Sequence, residues 1–153
     1  MAQPKFLIVG AAKSGTTSLF NYLNQHPDVY IPQVKECRFF SQLSNNFNGL
    51  GAEFYANSGI TDEKEYFHLF EECKDKVCGD ISNDYLYYYE KSIINIKKYL
   101  DDDVKIVIIL RNPVDRAYSN YIHHIRDGWE GVNFEGALKD EKRRIKDNWG
   151  WSY

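Results

Sequence analysis

The segment that most constrains the fold lies near the N-terminus, where a short apolar run leads through small residues into a helical pattern. Residues 5–10 predict a buried strand, and apolar residues at helical spacing predict a helix over about 16–25. The turn between them consists of small and hydroxyl residues around one lysine, Lys13. Backbone N–H groups of such a loop and the positive end of the helix dipole converge on one anion. The segment therefore predicts a phosphate-binding strand–loop–helix unit.

This loop differs from the common nucleoside triphosphate loop. The pattern G-x-x-x-x-G-K-[ST] would require a lysine at position 16, where the chain has Thr16, and the lysine comes earlier, at Lys13. The sequence thus predicts a phosphate site without the usual β,γ-phosphate and magnesium arrangement.

A second strand–helix junction supplies a further cation. Residues 104–110 are rich in β-branched residues and predict a buried strand, and Pro113 is suited to the first turn of a helix over 113 to about 127. Arg111 lies at the end of that strand, and Ser119 lies within the helix. Because a guanidinium binds phosphate oxygens in a bidentate manner, Arg111 predicts a second phosphate contact.

Two motifs together resemble the sulfotransferases that use 3′-phosphoadenosine 5′-phosphosulfate (PAPS). Residues 10–18, GAAKSGTTS, resemble their 5′-phosphosulfate loop, and residues 110–119, LRNPVDRAYS, resemble their 3′-phosphate motif. The carbohydrate branch of the family, which includes heparan-sulfate and bacterial members, is also matched by His26-Pro27, by Lys35-Glu36-x-x-Phe-Phe and by a Ser-x-x-Tyr turn from Ser82 to Tyr85. The resemblance covers nearly all of residues 1–153 as one sulfotransferase-like domain, but only the N-terminal portion of the family's domain.

The resemblance implies how the donor is held. The 5′-phosphate would be bound through backbone N–H groups and hydroxyls of Ser14, Gly15, Thr16, Thr17 and Ser18. Arg111 and Ser119 would bind the 3′-phosphate and so distinguish PAPS from ATP. Lys13 would neutralise the charge that develops on the bridging oxygen as its bond to sulfur breaks. No metal is required in principle.

The resemblance also implies an acceptor site for a carbohydrate or another small molecule. Glu36 is the candidate general base for the acceptor hydroxyl or amine, and His123 would assist it. Lys35 would contact the sulfate or an acidic acceptor, and the turn with Ser82 and Tyr85 would contribute to acceptor binding. At position 83 the chain has asparagine where relatives often have proline.

Structural roles for these residues stay open at the level of sequence. Glu36 would also be explained by an ion pair with Lys35 or Arg38. Arg111 would also be explained as a helix cap or as a partner of Asp115. Ser119 is compatible with a plain helix surface, and His123 with a structural contact.

The order of predicted elements favours an α/β fold of the P-loop type, a largely parallel sheet with helices on both faces. Beyond the elements above, we expect a short strand near 28–32, a polar loop at 41–61, a capped helix from Asp62 to Cys73, a strand at 77–81, an aromatic helix over 84–100 and an amphipathic helix over 134–147. In parallel sheets, ligands bind beyond the carboxyl ends of the strands. All four candidate clusters follow predicted strands and should meet at one edge.

Composition narrows the class of protein. The chain is 43% apolar and 16% aromatic with a net charge of −3, which fits a single core and argues against nucleic-acid binding. Cys37, Cys73 and Cys78 are expected to be reduced thiols. No signal peptide or membrane span is expected. The predicted location is therefore cytoplasmic.

Two alternative functions remain at this point. A P-loop kinase or NTPase would explain the first loop, although the strand at 104–110 ends at Arg111 and not at a magnesium-binding aspartate. A non-catalytic nucleotide-binding remnant is suggested because the chain ends at Tyr153, whereas family members continue further. The expectation is a fold truncated at its C-terminus or completed by a second chain or copy.

Overall fold

A computed structural model describes residues 2–43 and 46–150 of the chain. The chain forms two compact units. The first consists of Met1–Gln42 and Gly59–Leu110, and the second of Leu43–Ser58 and Arg111–Tyr153. Each unit is described by itself.

The first unit contains a four-stranded parallel sheet. Its strands are β1 (Phe6–Gly10), β2 (Val29–Tyr30), β3 (Val77–Ile81) and β4 (Lys105–Ile108), in the order β2-β3-β1-β4. Every pairing is parallel, with β1 between β3 and β4. The predicted parallel sheet is confirmed, and the strand predicted at 77–81 has those bounds in the structure.

Helices cover both faces of this sheet. The described helices of this unit are α1 (Thr16–Leu23), α3 (Glu63–His68) and α4 (Tyr89–Tyr99), and those of the second unit are α2 (Ala52–Ala56), α5 (Pro113–Arg126) and α6 (Phe134–Lys146). On one face of the sheet, Leu7 and Val9 pack with residues of α3 and α4 around Phe39. On the other face, Ile8 packs with residues of α1. The alternation of apolar residues in β1 between two buried faces explains why the strand has no polar residue.

Four expected elements differ from the structure. The strand predicted to be buried at 104–110 is β4, an edge strand of four residues of which Lys105, Ile106 and Ile108 are exposed. The predicted polar loop at 41–61 contains helix α2, and residues 44–45 of that loop lie outside the described residues. Asp62 does cap α3, since its Oδ1 accepts a hydrogen bond from Glu65 N–H at 2.9 Å, but the helix ends at His68 and a 3-10 turn follows at Glu71–Cys73. The predicted aromatic helix begins only at Tyr89, because residues 82–88 form a turn whose backbone contacts the β1 loop and whose polar groups bind neighbouring segments.

The expectation of three reduced cysteines is wrong for two of them. Cys73 and Cys78 form a disulfide across a Cα–Cα distance of 6.0 Å, and Cys37 is a buried free thiol. The 3-10 turn and the start of β3 bring the pair within the range in which a disulfide forms. Spacing in the sequence did not reveal this, because a separation of five residues is bridged only when the backbone reverses between them.

The second unit is a small helical assembly. Helices α5 and α6 contact each other, and the rings of Phe54 and Tyr55 in α2 lie 5.0 and 5.7 Å from the ring of Trp129. A buried ion pair joins Glu130 Oε2 to Arg144 Nη1 at 2.5 Å. Aromatic packing and one paired buried charge therefore hold this unit together.

Within the described parts of the chain, none of the helices has the length and apolar character that crossing a membrane requires.

Candidate functional site

The loop after β1 approaches the turn after β3 so closely that it requires glycine. Gly10 has a φ of +142°, and a Cβ at this position would lie 2.7 Å from the backbone oxygen of Asn83. Further along the same loop, Lys13 has a φ of +64°, a left-handed conformation that costs a lysine on the order of 1 kcal/mol. The loop thus brings its lysine to a defined place at the carboxyl end of the sheet.

The loop leads into an uncapped helix start. The first N–H groups of any helix lack intrahelical acceptors. Gly15, with a φ of +102°, is the N-cap of α1 and supplies no side-chain hydrogen bond to them. Ser14 Oγ is buried and has no hydrogen-bond partner among the described residues. A buried hydroxyl without a partner is unusual, and here it lies beside N–H groups that favour an anion. The local geometry fits a bound phosphate group.

Lys35 links this helix start to the segment after β2. Its ammonium Nζ donates a hydrogen bond to Thr17 Oγ1 at 2.8 Å and forms an ion pair with Glu36 Oε1 at 2.9 Å. The side chains of the pair are only 21% and 19% exposed. The pairing of Glu36 with Lys35 that the sequence left open is therefore present, and it coexists with the hydrogen bond from Lys35 to Thr17 at the start of α1.

Glu36 is held by the turn after β3 as well. Its Oε2 accepts a hydrogen bond from Asn83 N–H at 2.8 Å, and its Oε1 accepts one from Asn83 Nδ2 at 2.9 Å. The backbone of Glu36 is left-handed, with a φ of +61°, and its N–H donates to Ile81 O at 3.0 Å. Of the predicted residues, the structure thus brings together the first loop, Lys35, Glu36 and the turn that begins at Ser82.

Ser82 and Tyr85 are buried beneath this turn. The hydroxyls of both donate to Asp80, at 3.1 and 2.8 Å. Direct contact of these residues with an acceptor stays a prediction, and their burial favours a supporting role.

Two aspartates, the buried Asp80 beneath the turn and the half-buried Asp84 within it, were missed by the sequence reasoning. Burial raises the pKa of Asp80 from 3.8 to about 6, against the opposing effect of hydrogen bonds from Tyr85, Tyr66 and Ser82. Burial likewise raises the pKa of Asp84 to about 6, opposed chiefly by a hydrogen bond from Ser41. The sequence did carry one signal, an aspartate inside the strand VCGDI. Because Asp is rarely fully buried unless it is paired, an aspartate in a buried strand indicates partners around it.

The other three predicted residues belong to the second unit. Arg111 is exposed and immediately precedes Asn112, which caps α5 by accepting a hydrogen bond from Val114 N–H at 3.0 Å. Ser119 is half-buried on α5, one turn before His123. The Nδ1 atom of His123 lies 2.7 Å from Arg126 Nη2 and 3.3 Å from Asp127 Oδ2, so this nitrogen is engaged within its own helix. That Arg111, Ser119 and His123 complete one site with the first unit stays a prediction.

Residues 2–43 and 46–150 contain no group of three or more His, Cys, Asp or Glu side chains arranged to hold a metal ion.

Comparison with known proteins shows the family of this domain. The model of the sulfotransferase domain family matches residues 3–146. A sulfotransferase from Alicyclobacillus acidocaldarius, known from a crystal structure, has a TM-score of 0.88 and 42% identity; the match covers 97% of this chain and 61% of that one. A bifunctional heparan sulfate N-deacetylase/N-sulfotransferase 4 from Mus musculus is 33% identical over 130 residues, and the human enzyme 1 of the same name is 32% identical over 132 residues.

These matches cover very different shares of the proteins compared. The alignment to each of the two curated relatives covers 78% of this chain but only 13% of the relative. The family model, by contrast, spans almost the whole chain. The chain therefore belongs to the sulfotransferase domain family.

Proposed function

We propose that this chain carries the donor loop and the acidic catalytic group of a PAPS-dependent sulfotransferase acting on a carbohydrate hydroxyl or amine. The observation that carries the proposal is the bridge made by Lys35, whose Nζ contacts Thr17 at the start of α1 and also Glu36. A phosphate loop and a carboxylate joined by one cation are what transfer from a phosphosulfate to a weakly acidic acceptor needs. The similarity to heparan sulfate N-deacetylase/N-sulfotransferases supports an acceptor of this class.

The donor end of the site would be formed by the β1 loop. The buried Ser14 Oγ and the uncapped N–H groups of α1 would bind the 5′-phosphate, together with Gly15, Thr16, Thr17 and Ser18. When bound, PAPS supplies a sulfuryl group attached to a phosphate leaving group. Lys13 would place positive charge beside the oxygen that becomes anionic, and removal of one such preorganised contact typically costs about 10²–10³-fold in rate. Arg111 and Ser119 would bind the 3′-phosphate.

The acceptor end would be formed by Glu36. Its carboxylate oxygens are oriented by Asn83 and Lys35, and a positioned general base contributes about 10²–10⁴-fold. Glu36 would take the proton of the acceptor hydroxyl or amine, and His123 would assist in the acceptor site. Lys35 would attract an acidic acceptor. The cytoplasmic location and a second chain completing the fold stay predictions.

Calorimetric binding of 3′-phosphoadenosine 5′-phosphate against Mg-ATP tests the donor site. We expect binding of the bisphosphate in preference to Mg-ATP, and a loss of affinity of about 10-fold or more in Arg111→Ala because a charged hydrogen bond contributes about 1.5–3 kcal/mol. Arg143→Ala, which removes another exposed arginine, serves as the matched control and should bind as the wild type does. Preference for Mg-ATP would contradict the proposal in favour of a kinase-like protein.

Transfer of labelled sulfate from PAPS tests the reaction. Glycans that offer free amines and glycans that offer only hydroxyls are compared as acceptors, with Lys13→Ala and Glu36→Gln as the variants. We expect both variants to lose at least 10²-fold in turnover. Bisphosphate binding without transfer to either kind of glycan would favour a nucleotide-binding remnant.

A further inference from the structure

Asp80 is a buried carboxylate with an unusually complete set of donors. It is the penultimate residue of β3 and is 2% exposed. Its Oδ2 accepts hydrogen bonds from Tyr66 Oη at 2.9 Å and Tyr85 Oη at 2.8 Å, and its Oδ1 accepts one from Ser82 Oγ at 3.1 Å. Three hydroxyl donors, one from α3 and two from the turn at 82–88, offset part of the cost of burying a carboxylate. The segments are thereby fastened to one another.

Ser82 connects Asp80 to the segment that contains Glu36 through two hydrogen bonds. A serine hydroxyl has one proton, and Ser82 donates it to Asp80. The lone pairs of Ser82 Oγ then face Arg38 N–H, which donates to it at 3.1 Å. The carboxylate of Asp80 thus sets the orientation in which the Ser82 hydroxyl can accept this hydrogen bond.

The segment from Glu36 to Arg38 has a strained backbone that other residues must hold in place. Glu36 and Arg38 have φ values of +61° and +57°, in the left-handed region that side chains adopt only when their surroundings enforce it. Glu36 N–H donates to Ile81 O at 3.0 Å, and Arg38 N–H donates to Ser82. The end of β3 therefore holds this strained segment at both of its left-handed residues.

We propose that Asp80 is a positioning residue for Glu36, acting through the Ser82 hydroxyl to hold the left-handed segment and to aim the Glu36 carboxylate at the Asn83 donors. The proposal rests on the proposed function only where it concerns turnover. The effect of Asp80 on the conformation of residues 36–38 is independent of it. Because Asp80 is buried beneath the turn, the proposal gives it a positioning role and no contact with the reactants.

Ser82→Ala tests the proposal because it breaks the link between Asp80 and Arg38 with little change in volume. Asp80→Asn is the second variant. Tyr30→Phe is the control, since it removes a partly buried tyrosine hydrogen bond to Leu69 O that lies outside the network. Amide hydrogen exchange is measured at Glu36, Arg38 and Asn83. We expect Ser82→Ala to raise the exchange rate at all three amides by at least 10-fold, and Tyr30→Phe to leave them unchanged.

Steady-state kinetics with PAPS separate positioning from a general loss of fold. In Ser82→Ala and Asp80→Asn we expect kcat to fall at least 10-fold while KM for PAPS changes less than 2-fold. Faster exchange at Arg38 alone, or a raised donor KM with an unchanged kcat, would overturn the proposal. If the wild-type chain bound no bisphosphate, the proposed function would fail, whereas the exchange data would still decide whether Asp80 positions Glu36.

Discussion

The carboxylate of Glu36 accepts two hydrogen bonds from Asn83, one from the backbone N–H at 2.8 Å and one from the side-chain Nδ2 at 2.9 Å. A proline at position 83, which relatives often have, would provide neither donor. This chain therefore orients its candidate base with groups that a proline-containing turn lacks. The asparagine that seemed a departure from the family motif is the main partner of the residue next to the phosphate loop.

Asn83→Ala should lower both the free energy of unfolding and the rate that depends on Glu36. Loss of the Nδ2 donor is expected to lower the free energy of unfolding by about 1 kcal/mol, the usual net value of one hydrogen bond, and to lower kcat more than KM. Denaturant unfolding and steady-state transfer assays measure the two effects. Asn21→Ala, on an exposed position of α1, is the control and should leave both quantities unchanged. An unchanged stability of Asn83→Ala would contradict the importance of this contact.

Ser14→Ala should separate stability from binding. Because Ser14 Oγ is buried without a hydrogen-bond partner among the described residues, its removal is expected not to lower the thermal midpoint. Bisphosphate affinity should fall about 10-fold, since the phosphate would lose its hydrogen bond from the Ser14 hydroxyl. Ser92→Ala is a matched control, because Ser92 Oγ on α4 is also buried without such a partner. Equal affinity for the bisphosphate in both variants would contradict the assignment of Ser14.

Asp80 should make the first unit less stable as the pH rises from about 4 to above 6. Its pKa is raised from 3.8 to about 6 by burial, so the folded chain binds more protons than the unfolded chain in this range. The unfolding free energy of the wild type should therefore fall relative to that of Asp80→Asn, by about 3 kcal/mol in total, as the difference between a pKa of 3.8 and one of about 6 implies. Urea unfolding of both proteins at several pH values measures the difference.

A pH-independent difference between the two proteins would contradict the raised pKa. Asp140 provides a contrast, because its hydrogen bond from Arg143 holds its pKa at about 2. A carboxyl group of that kind contributes stability that is lost only as the pH falls below about 4. The two ranges of pH therefore report on different residues.

Reduction of the Cys73–Cys78 disulfide should lower stability by about 2 kcal/mol, the value expected from closing so short a loop in the unfolded chain. Thermal unfolding with and without a thiol reductant measures the change. The double variant Cys73→Ser, Cys78→Ser should be insensitive to the reductant, whereas a variant that replaces only the buried Cys37 should respond as the wild type does. Equal midpoints of the wild type in both conditions would contradict a stabilising disulfide.

Most of the sheet was predictable because strand and helix periodicity are local properties. The strand at 77–81 has the expected bounds, and the next-to-last helix begins at Pro113 as expected. Asp62 caps its helix as its spacing with Glu65 indicated. Helix α2 was missed because a five-residue helix has too few turns to show a period. Residues 84–88 were mistaken for the start of a helix because their aromatic side chains suit either structure, and only contacts with β1 select the turn.

The amino-acid sequence by itself determined the parallel α/β sheet, and it predicted a phosphate-binding loop around Lys13 and a second phosphate contact at Arg111. These features depend on residue type and spacing along the chain, whereas Glu36 was a candidate only through the resemblance to the carbohydrate branch of the family. Only the tertiary structure decided that Asp80 is buried among hydroxyls, that Asn83 orients Glu36, and that Lys35 joins Thr17 to Glu36. Those relationships connect residues far apart in sequence, and they exist only because parallel strands bring their carboxyl ends, and the loops that follow them, to one edge of the sheet.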